Sequence, residues 1–146
     1  MALHIRQFEA ADYPAARSLW LETPGLGLSD ADEQSPIERY LSRNPGSSFV
    51  AYDGDVLVGT ILCGNDGRRG LIHHLVTAKE FRRRGLGRQL LRAALQALGT
   101  QGINKCHLLV FQSNAEGLAF WRAVAATERP ELAIFSLTIA SDANGV

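Results

Sequence analysis

A basic, glycine-containing stretch in the middle of the chain has the residue pattern of an anion site. It reads RRRGLGR over Arg82–Arg88, and leucines at helical spacing follow it at once. At the N-terminus of a helix the first backbone N–H groups have no partner within the helix, and the helix dipole favours negative charge. Gly85 and Gly87 lack the Cβ atoms that would keep a ligand away from the backbone. The stretch therefore predicts a phosphate site formed mainly by the backbone amides of Arg83–Arg88.

Two adjacent histidines, His73 and His74, are candidate proton acceptors, because imidazole titrates near neutral pH. They lie in the apolar run Leu71–Thr77, which predicts a strand directly before the basic stretch. Strand alternation predicts that His73 lies on one face of the sheet and His74 on the other. The alternative for each histidine is a purely structural role.

The elements around these residues follow from apolar periodicity and turn residues. The helix after the basic stretch is predicted from about Arg84 to Leu98, with Gly99 ending it. Asp53-Gly54 predicts a tight hairpin turn. The other predicted strands are Leu3–Phe8, Ser48–Tyr52, Val56–Cys63, a buried strand at Lys105–Phe111 and a final one at Leu132–Ile139. The other predicted helices run from a cap at Asp12 to about Leu21, from an N-cap at Ser35 to about Arg43, and from Ala115 to about Ala125. The pattern predicts one α/β (α+β) domain over residues 1–140, in the order β-α-α-β-β-β-α-β-α-β, and a short polar tail at 141–146.

Composition argues against several classes of partner. The chain has 146 residues, with 15 Lys plus Arg and 15 Asp plus Glu, so its formal net charge is zero. A neutral chain gives no global reason to expect a nucleic acid or an anionic membrane as partner, and no run of 18 apolar residues is present. Cys63 and Cys106 lack the paired spacing of a metal site or a redox motif, so we expect no metal and two free thiols in a cytoplasmic protein.

The spacing Arg82-x-x-Gly85-x-Gly87 after a hydrophobic strand resembles the Gln/Arg-x-x-Gly-x-Gly/Ala signature of the GNAT acetyltransferase superfamily. The dinucleotide fingerprint fits worse, because Leu90 stands where its third glycine would fall, and the Gly-Lys-Ser/Thr of a P-loop is absent. The resemblance implies a mixed, mostly antiparallel sheet with helices on both faces, and acetyl-CoA as co-substrate. Trp20, the Pro24-Gly25 loop and Phe120-Trp121 are among the residues that resemble a subgroup of small bacterial acetyltransferases labelled YpeA-like.

The resemblance also implies roles for individual residues. The backbone of Leu75, Val76 and Thr77 would bind pantetheine and the acetyl oxygen, the segment comprising Arg82, Arg83, Arg84, Gly85, Leu86, Gly87 and Arg88 would hold the pyrophosphate, and Asn114 would contact pantetheine. The alternatives are ordinary sheet pairing for the strand residues, a solvated basic turn for the three arginines and a helix cap for Asn114. In arylalkylamine acetyltransferases, a similar branch, a histidine at the offset of His73 helps to take the proton from the amine through water. The resemblance therefore makes His73 the candidate general base.

Two positions depart from the family's pattern. Trp121 stands where most members have a tyrosine that protonates the leaving sulfur, and Leu109 stands where one member has a basic glutamate. An indole N–H is not an acid near neutral pH, but a thiol with a pKa of about 8.5 can leave as thiolate. We interpret Trp121 as an aromatic of the core or of the pocket wall.

Two functions remain open from the sequence. The first is N-acetyl transfer from acetyl-CoA to a primary amine, of a small molecule or of a peptide N-terminus, by direct attack in a ternary complex. The second is an acyl-CoA-binding regulatory module with weak or no turnover. The acids of the loop Glu22–Glu33 could favour a cationic amine or could simply be solvated. The acceptor remains undetermined, and the sequence leaves open whether the protein forms a homodimer.

Overall fold

Five strands form one mixed sheet whose spatial order follows the chain. The computed structural model describes residues 3–139. The strands are β1 (Leu3–Gln7), β2 (Phe49–Asp53), β3 (Val56–Asn65), β4 (Gly70–Thr77) and β5 (Cys106–Leu108). Neighbouring strands from β1 to β4 are antiparallel, and β5 pairs with β4 in parallel.

Helices cover both faces of the sheet. The helices are α1 (Tyr13–Leu21), α2 (Gln34–Arg43), α3 (Leu86–Thr100) and α4 (Ala115–Ala123). Burial of apolar side chains produces two cores, since each face of the sheet packs against different helices. Leu90 and Ala94 of α3 lie in one core. Trp20 of α1 and Ile37 of α2 lie in the other.

The architecture confirms the predicted fold class, a mixed and mostly antiparallel sheet between two helical layers. The predicted hairpin is also present, because Gly54 opens the two-residue turn between β2 and β3 with a φ of 60°. No helix within residues 3–139 is both long enough and apolar enough to cross a membrane.

Three predicted helix ends are wrong by small amounts. Helix α2 begins at Gln34, so Ser35 lies inside it and is not the N-cap. Helix α3 begins at Leu86, after Gly85 in a left-handed conformation. Gly99 lies within α3, and the chain leaves the helix at Gly102, whose φ of 82° allows Ile103 N to donate back to Leu98 O.

Two predicted strands at the C-terminal end also differ. The strand predicted at Lys105–Phe111 is reduced to Cys106–Leu108 and is only half-buried. The final strand predicted at Leu132–Ile139 is wrong, because this segment pairs with no strand among the described residues. A strand needs a ladder partner, and alternation in the sequence does not supply one. The predicted tail at 141–146 lies outside the described residues.

Candidate functional site

The sheet opens between β4 and β5. The two strands pair only at Gly70 with Cys106, Leu71 with His107 and Ile72 with Leu108. Beyond these pairs β4 continues to Thr77 without β5 beside it, while its other edge pairs with β3 through Val76 and Thr77. A cleft therefore borders Leu75–Thr77, and its wall is the edge of a strand that can offer backbone hydrogen bonds.

The N-terminus of α3 lies at the end of this strand. Gly85 is the N-cap residue with a φ of 81°, and Gln89 N donates to Gly85 O to close the first turn. The amides of Leu86, Gly87 and Arg88 precede that bond and have no partner within the helix. The Leu86 side chain is only 2% exposed, so this residue could meet a ligand only through its backbone.

The three arginines before α3 have different surroundings. Arg83 has a φ of 62° and an exposed side chain. Arg84 lies over the ring of Phe81, with 5.4 Å between the guanidinium carbon and the ring centroid. Arg82 points into the cleft, where its Nε donates to Thr77 O at 3.4 Å. Arg88, in the first turn of the helix, donates from Nη2 to Ala123 O at 3.3 Å.

The opposite wall of the cleft comes from α4 and from the loop between α1 and α2. Asn114 caps α4, because its side-chain oxygen accepts a hydrogen bond from Gly117 N at 3.0 Å. Its side-chain nitrogen makes no hydrogen bond within residues 3–139. Arg82 reaches across the cleft to Glu116 at 3.5 Å, and Gly25 approaches Asn114 so closely that an added Cβ would lie 3.2 Å from the amide carbon. The predicted residues Arg82 and Asn114 are thus brought together.

A β-bulge in β4 places both histidines on the same face of the sheet. The register with β3 pairs Leu62 with His73 and then Thr60 with Val76, and His74 has a φ of 47°. The His73 ring lies 5.9 Å from that of Tyr40 on α2. The prediction of opposite faces is therefore wrong, because the extra residue of a bulge shifts the side-chain alternation by one position.

His74 is held by a buried network that anchors the bulge. Its Nε2 donates to Asp32 Oδ1 at 2.6 Å, and both side chains are 11% exposed. Its carbonyl accepts from Thr60 Oγ1 at 2.8 Å, and this hydroxyl accepts from Trp20 Nε1 at 3.0 Å. His74 is thus a positioning residue for the strand that carries His73.

The role of Asp32 escaped prediction from the sequence. Asp32 follows Ser29 by three residues, and its carboxylate accepts from Ser29 N at 2.9 Å, as in a capping box. This spacing was the one local signal that could have distinguished Asp32 from the solvated acids around it.

We expect Asp32→Ala to lower the free energy of unfolding by about 2–3 kcal/mol, because it removes hydrogen bonds to a charged, largely buried group. Asp30→Ala in the same loop is the matched control, since Asp30 is exposed, and it should change stability by less than about 0.5 kcal/mol. Urea denaturation followed by circular dichroism compares the two variants. Equal stabilities would show that the His74 contact does not anchor the bulge.

His73 faces a pocket of about 380 Å³ between α2 and the sheet, lined also by Asp32, Leu62, Tyr40, Arg39 and Arg43. Burial lowers the pKa of His73 below its ordinary value, the neighbouring His74 acts in the same direction, and Asp32 opposes them. Burial raises the pKa of Tyr40, so its hydroxyl stays protonated. The pocket thus offers a neutral imidazole beside a neutral phenol.

Two of the four acids in the loop Glu22–Glu33 have partners inside the protein. Asp32 binds His74, and Glu33 pairs with Arg17 at 3.4 Å. Outside the loop, Asp66 accepts hydrogen bonds from the amides of its own turn. The cations at the pocket rim differ, because Arg39 and Arg43 are exposed and form no ion pair within residues 3–139.

The remaining candidate residues do not supply an acid or a nucleophile. Trp121 is half-buried against the core and packs edge-on to Phe120, with 5.1 Å between ring centroids. Leu109 is 64% exposed. Burial raises the pKa of the Cys63 thiol to about 12 and also raises that of Cys106, so neither thiol is activated. Within the described chain, no three His, Cys, Asp or Glu side chains form a group that could hold a metal.

Comparison with known proteins places this geometry in a family. Residues 13–125 match the Acetyltransferase (GNAT) family. An acetyltransferase of Pectobacterium atrosepticum is 33% identical over 112 residues, which cover 77% of this chain and 79% of the relative. Among solved structures, Ard1 from Thermoplasma volcanium has a TM-score of 0.74 at 22% identity, and the matched region covers 85% of this chain and 82% of the Ard1 chain. PaiA N-acetyltransferase from Thermoplasma acidophilum, in complex with coenzyme A, has a TM-score of 0.74 at 18% identity, and the matched region covers 85% of this chain and 89% of the PaiA chain.

Proposed function

Because the chain belongs to the Acetyltransferase (GNAT) family, we propose that it transfers an acetyl group from acetyl-CoA to a primary amine of a small molecule or of a peptide or protein N-terminus. The observation that carries this proposal is the opening of the sheet beside Leu75–Thr77, which leads directly to the N-terminus of α3. Attack by the amine would be direct, in a ternary complex, since neither cysteine has an activated thiol.

The residues of the cleft fit coenzyme A in chemistry and in order. The amides of Leu86–Arg88 would bind the pyrophosphate, together with Arg82, Arg83, Arg84 and Gly85, because they combine unpartnered N–H groups with a helix dipole. The backbone of Leu75, Val76 and Thr77 would pair with the pantetheine, and the Asn114 amide would donate to it. The bound thioester would supply the acyl group at the bulge of β4, where backbone N–H groups can stabilise the charge that develops on its oxygen.

The amine acceptor would bind and lose its proton in the pocket in front of His73. An ammonium ion must lose its proton before the nitrogen can attack, and a neutral imidazole can accept that proton directly or through water. The lowered pKa of His73 keeps it in the base form at neutral pH. His74 and Asp32 would hold the strand and would not touch the amine.

The rim of this pocket favours an acceptor that carries an anionic group beside its amine. Arg39 and Arg43 offer two guanidinium groups that can bind a carboxylate in a bidentate manner. This finer proposal differs from the cationic acceptor considered above, because Asp32 and Glu33 of the loop are paired with His74 and Arg17, whereas Arg39 and Arg43 form no ion pair within residues 3–139.

We expect Arg39→Ala together with Arg43→Ala to raise KM about 10-fold for an amino acid or peptide with a carboxylate near its amine, since two exposed ion pairs at about 0.7 kcal/mol each correspond to a factor of about ten. KM for the matched carboxamide of the same amine should not change. Steady-state kinetics with both substrates measure the difference. An equal change in both KM values would disprove carboxylate recognition at the rim.

The two free thiols, one of them fully buried, support a reducing compartment, so we place the protein in the cytoplasm as part of the proposal. We also propose that residues 1–140 act as one catalytic domain without nucleic acid or membrane as partner, and that the working form is a homodimer.

Two measurements test the function. Acetyl-CoA should raise the melting temperature, because a ligand that binds only the folded state stabilises it. Thiol release from acetyl-CoA over a panel of amines, including peptides with free N-termini, should then identify turnover. Stabilisation without thiol release for any amine would favour the regulatory CoA-binding module. The absence of both stabilisation and thiol release would refute the proposal.

A further inference from the structure

A buried hydroxyl on β3 holds the backbone of β4 at its bulge. Thr60 is 0% exposed, and its Oγ1 donates a hydrogen bond to His74 O at 2.8 Å. On its other side the same oxygen accepts a hydrogen bond from Trp20 Nε1 at 3.0 Å. Because an indole N–H can only donate and a carbonyl oxygen can only accept, the single hydroxyl hydrogen of Thr60 must point to His74 O. The direction of this hydrogen bond is therefore determined by its two neighbours.

This hydrogen bond acts on a strained position of the strand. His74 has a φ of 47°, in the left-handed region that residues other than glycine rarely adopt. Asp32 binds the imidazole at 2.6 Å, and the Trp20 ring packs edge-on against it with 4.8 Å between ring centroids. Both of these contacts hold the side chain. Thr60 is the group on β3 whose side chain holds the carbonyl, so it restrains the orientation of the peptide itself.

The restrained peptide joins His74 to Leu75, and its orientation fixes the direction of the next amide. This peptide is trans, so its C=O and its N–H point in opposite directions. The carbonyl points to Thr60 on β3. The Leu75 N–H therefore points away from β3, towards the edge of β4 that β5 leaves open beyond Ile72.

The ladder between β3 and β4 gives the same orientation independently. Thr60 pairs with Val76, and Ala78 N donates to Val58 O at 2.7 Å, two residues further along both strands. In an antiparallel ladder, residues that bond to one neighbouring strand alternate with residues that face the other side. Val76 thus faces β3, and the amide of Leu75 faces the cleft.

We propose that Thr60 is a positioning residue for acyl transfer, because its hydroxyl holds the His74 peptide so that the Leu75 N–H is aimed at the acyl oxygen of a thioester in the cleft. The inference rests on the proposed function for the identity of this ligand. Thr60 itself would touch neither substrate and would act through one peptide group. A donor that is oriented in advance stabilises the oxygen most strongly when negative charge develops on it. The Thr60 hydroxyl should therefore contribute to kcat more than to binding.

The stretching vibration of the thioester carbonyl reports on this contact without turnover. A hydrogen bond to the oxygen weakens the C=O bond and lowers its frequency. Isotope-edited infrared spectroscopy with acetyl-CoA labelled with ¹³C at the carbonyl should show a lower frequency in the complex with the wild-type protein than in free acetyl-CoA. Thr60→Val keeps the shape of the side chain without the hydroxyl and should lose most of this shift. Thr60→Ser keeps the hydroxyl and should retain the shift.

Steady-state kinetics with an amine that supports thiol release give a second readout. Thr60→Val should lower kcat about 10- to 100-fold and change KM for acetyl-CoA by less than about threefold, since loss of one oxyanion donor typically costs about 10²- to 10³-fold in kcat and misalignment costs less. Thr60→Ser should restore kcat to within about threefold of the wild type. A purely structural role would reduce the fraction of folded protein without separating kcat from KM.

Ser48→Ala is the matched control, because it also removes a buried hydroxyl that binds the backbone of β3. Ser48 is 3% exposed, and its Oγ donates to Cys63 O at 3.3 Å and accepts from Cys63 N at 2.9 Å. This variant should be less stable in urea but should keep the wild-type carbonyl frequency and kcat. If circular dichroism shows that Thr60→Val does not fold, Thr60→Cys replaces it and should lose part of the shift, since a thiol is a weak donor.

The outcomes separate this inference from the proposed function. An unshifted carbonyl in the wild-type complex, an undiminished shift in Thr60→Val or Thr60→Cys, or loss of the shift in Thr60→Ser would overturn the role of Thr60. A wild-type shift that Thr60→Val abolishes, with no thiol release for any amine, would support the role of Thr60 and refute acetyl transfer to amines. Failure of the wild-type protein to bind acetyl-CoA would overturn both.

Discussion

A Gly87→Val substitution is expected to weaken CoA binding at least about 100-fold. A hydrogen bond to a charged group contributes roughly 1.5–3 kcal/mol, so loss of access to two amides at the start of α3 reaches this magnitude. The structure adds a steric reason, because a Cβ at Gly87 would lie 3.2 Å from Phe120 Cε1 on α4, at the wall of the cleft. Isothermal titration calorimetry with CoA measures the affinity.

Two further variants separate these causes. Arg83→Ala should weaken binding only a few-fold, since an exposed ion pair contributes about 0–1 kcal/mol. Phe120→Ala in the Gly87→Val background removes the clash with the ring but keeps the bulk beside the amides, so affinity should remain low. If Arg83→Ala were the more damaging substitution, the assignment of pyrophosphate binding to the backbone amides of Leu86–Arg88 would be wrong.

Removal of the imidazole in His73→Ala is expected to lower kcat/KM about 10²- to 10⁴-fold, the usual contribution of general acid–base catalysis. The sign of the pH dependence follows from the lowered pKa. The base form of His73 predominates above its pKa, and activity should fall only as pH drops through a value below the ordinary pKa of about 6.5. A profile of kcat/KM against pH should therefore show an acid limb in the wild type and lose it in the variant.

His4→Ala is the matched control for this experiment, because His4 is an exposed histidine on β1, the strand at the far edge of the sheet from β5. Its pH profile should match that of the wild type. His73→Ala with an unchanged acid limb would show that His73 is not the base, and the limb would then have to arise from the amine or from another group.

Much of the fold was predictable because its signals are local. Helical periodicity of the leucines in α3, the run of β4 and the turn at Gly54 each lie within about 15 residues of sequence, and the structure confirms all three elements. The residues expected to bind CoA remain predictions, but the proximity of Leu75–Thr77 to Arg82–Arg88 followed from the order strand, turn, helix. The ends of α2 and α3 were less predictable, since adjacent residues compete as caps at similar energies.

The bulge in β4 could not be inferred from alternation. Alternation predicts that two adjacent histidines in a strand lie on opposite faces, unless a β-bulge shifts the second one to the same face. Here Asp32 binds His74 across 42 residues of sequence, and Thr60 binds its carbonyl across 14. These long-range contacts stabilise the positive φ of His74, which the residue type alone does not specify.

What the sequence by itself determined is the unit of β4, the basic turn and α3, because a glycine at a helix start and a stripe of leucines act within one contiguous segment. What only the tertiary structure decided is which groups face each other across space: His73 with the pocket beside α2, and Arg82 with Asn114 across the open cleft. It also decided that the segment 132–139 pairs with no strand among residues 3–139. The physical reason is that ladder pairing and buried ion pairs gain their energy from partners far away in sequence, so a local pattern specifies the element but not its neighbour.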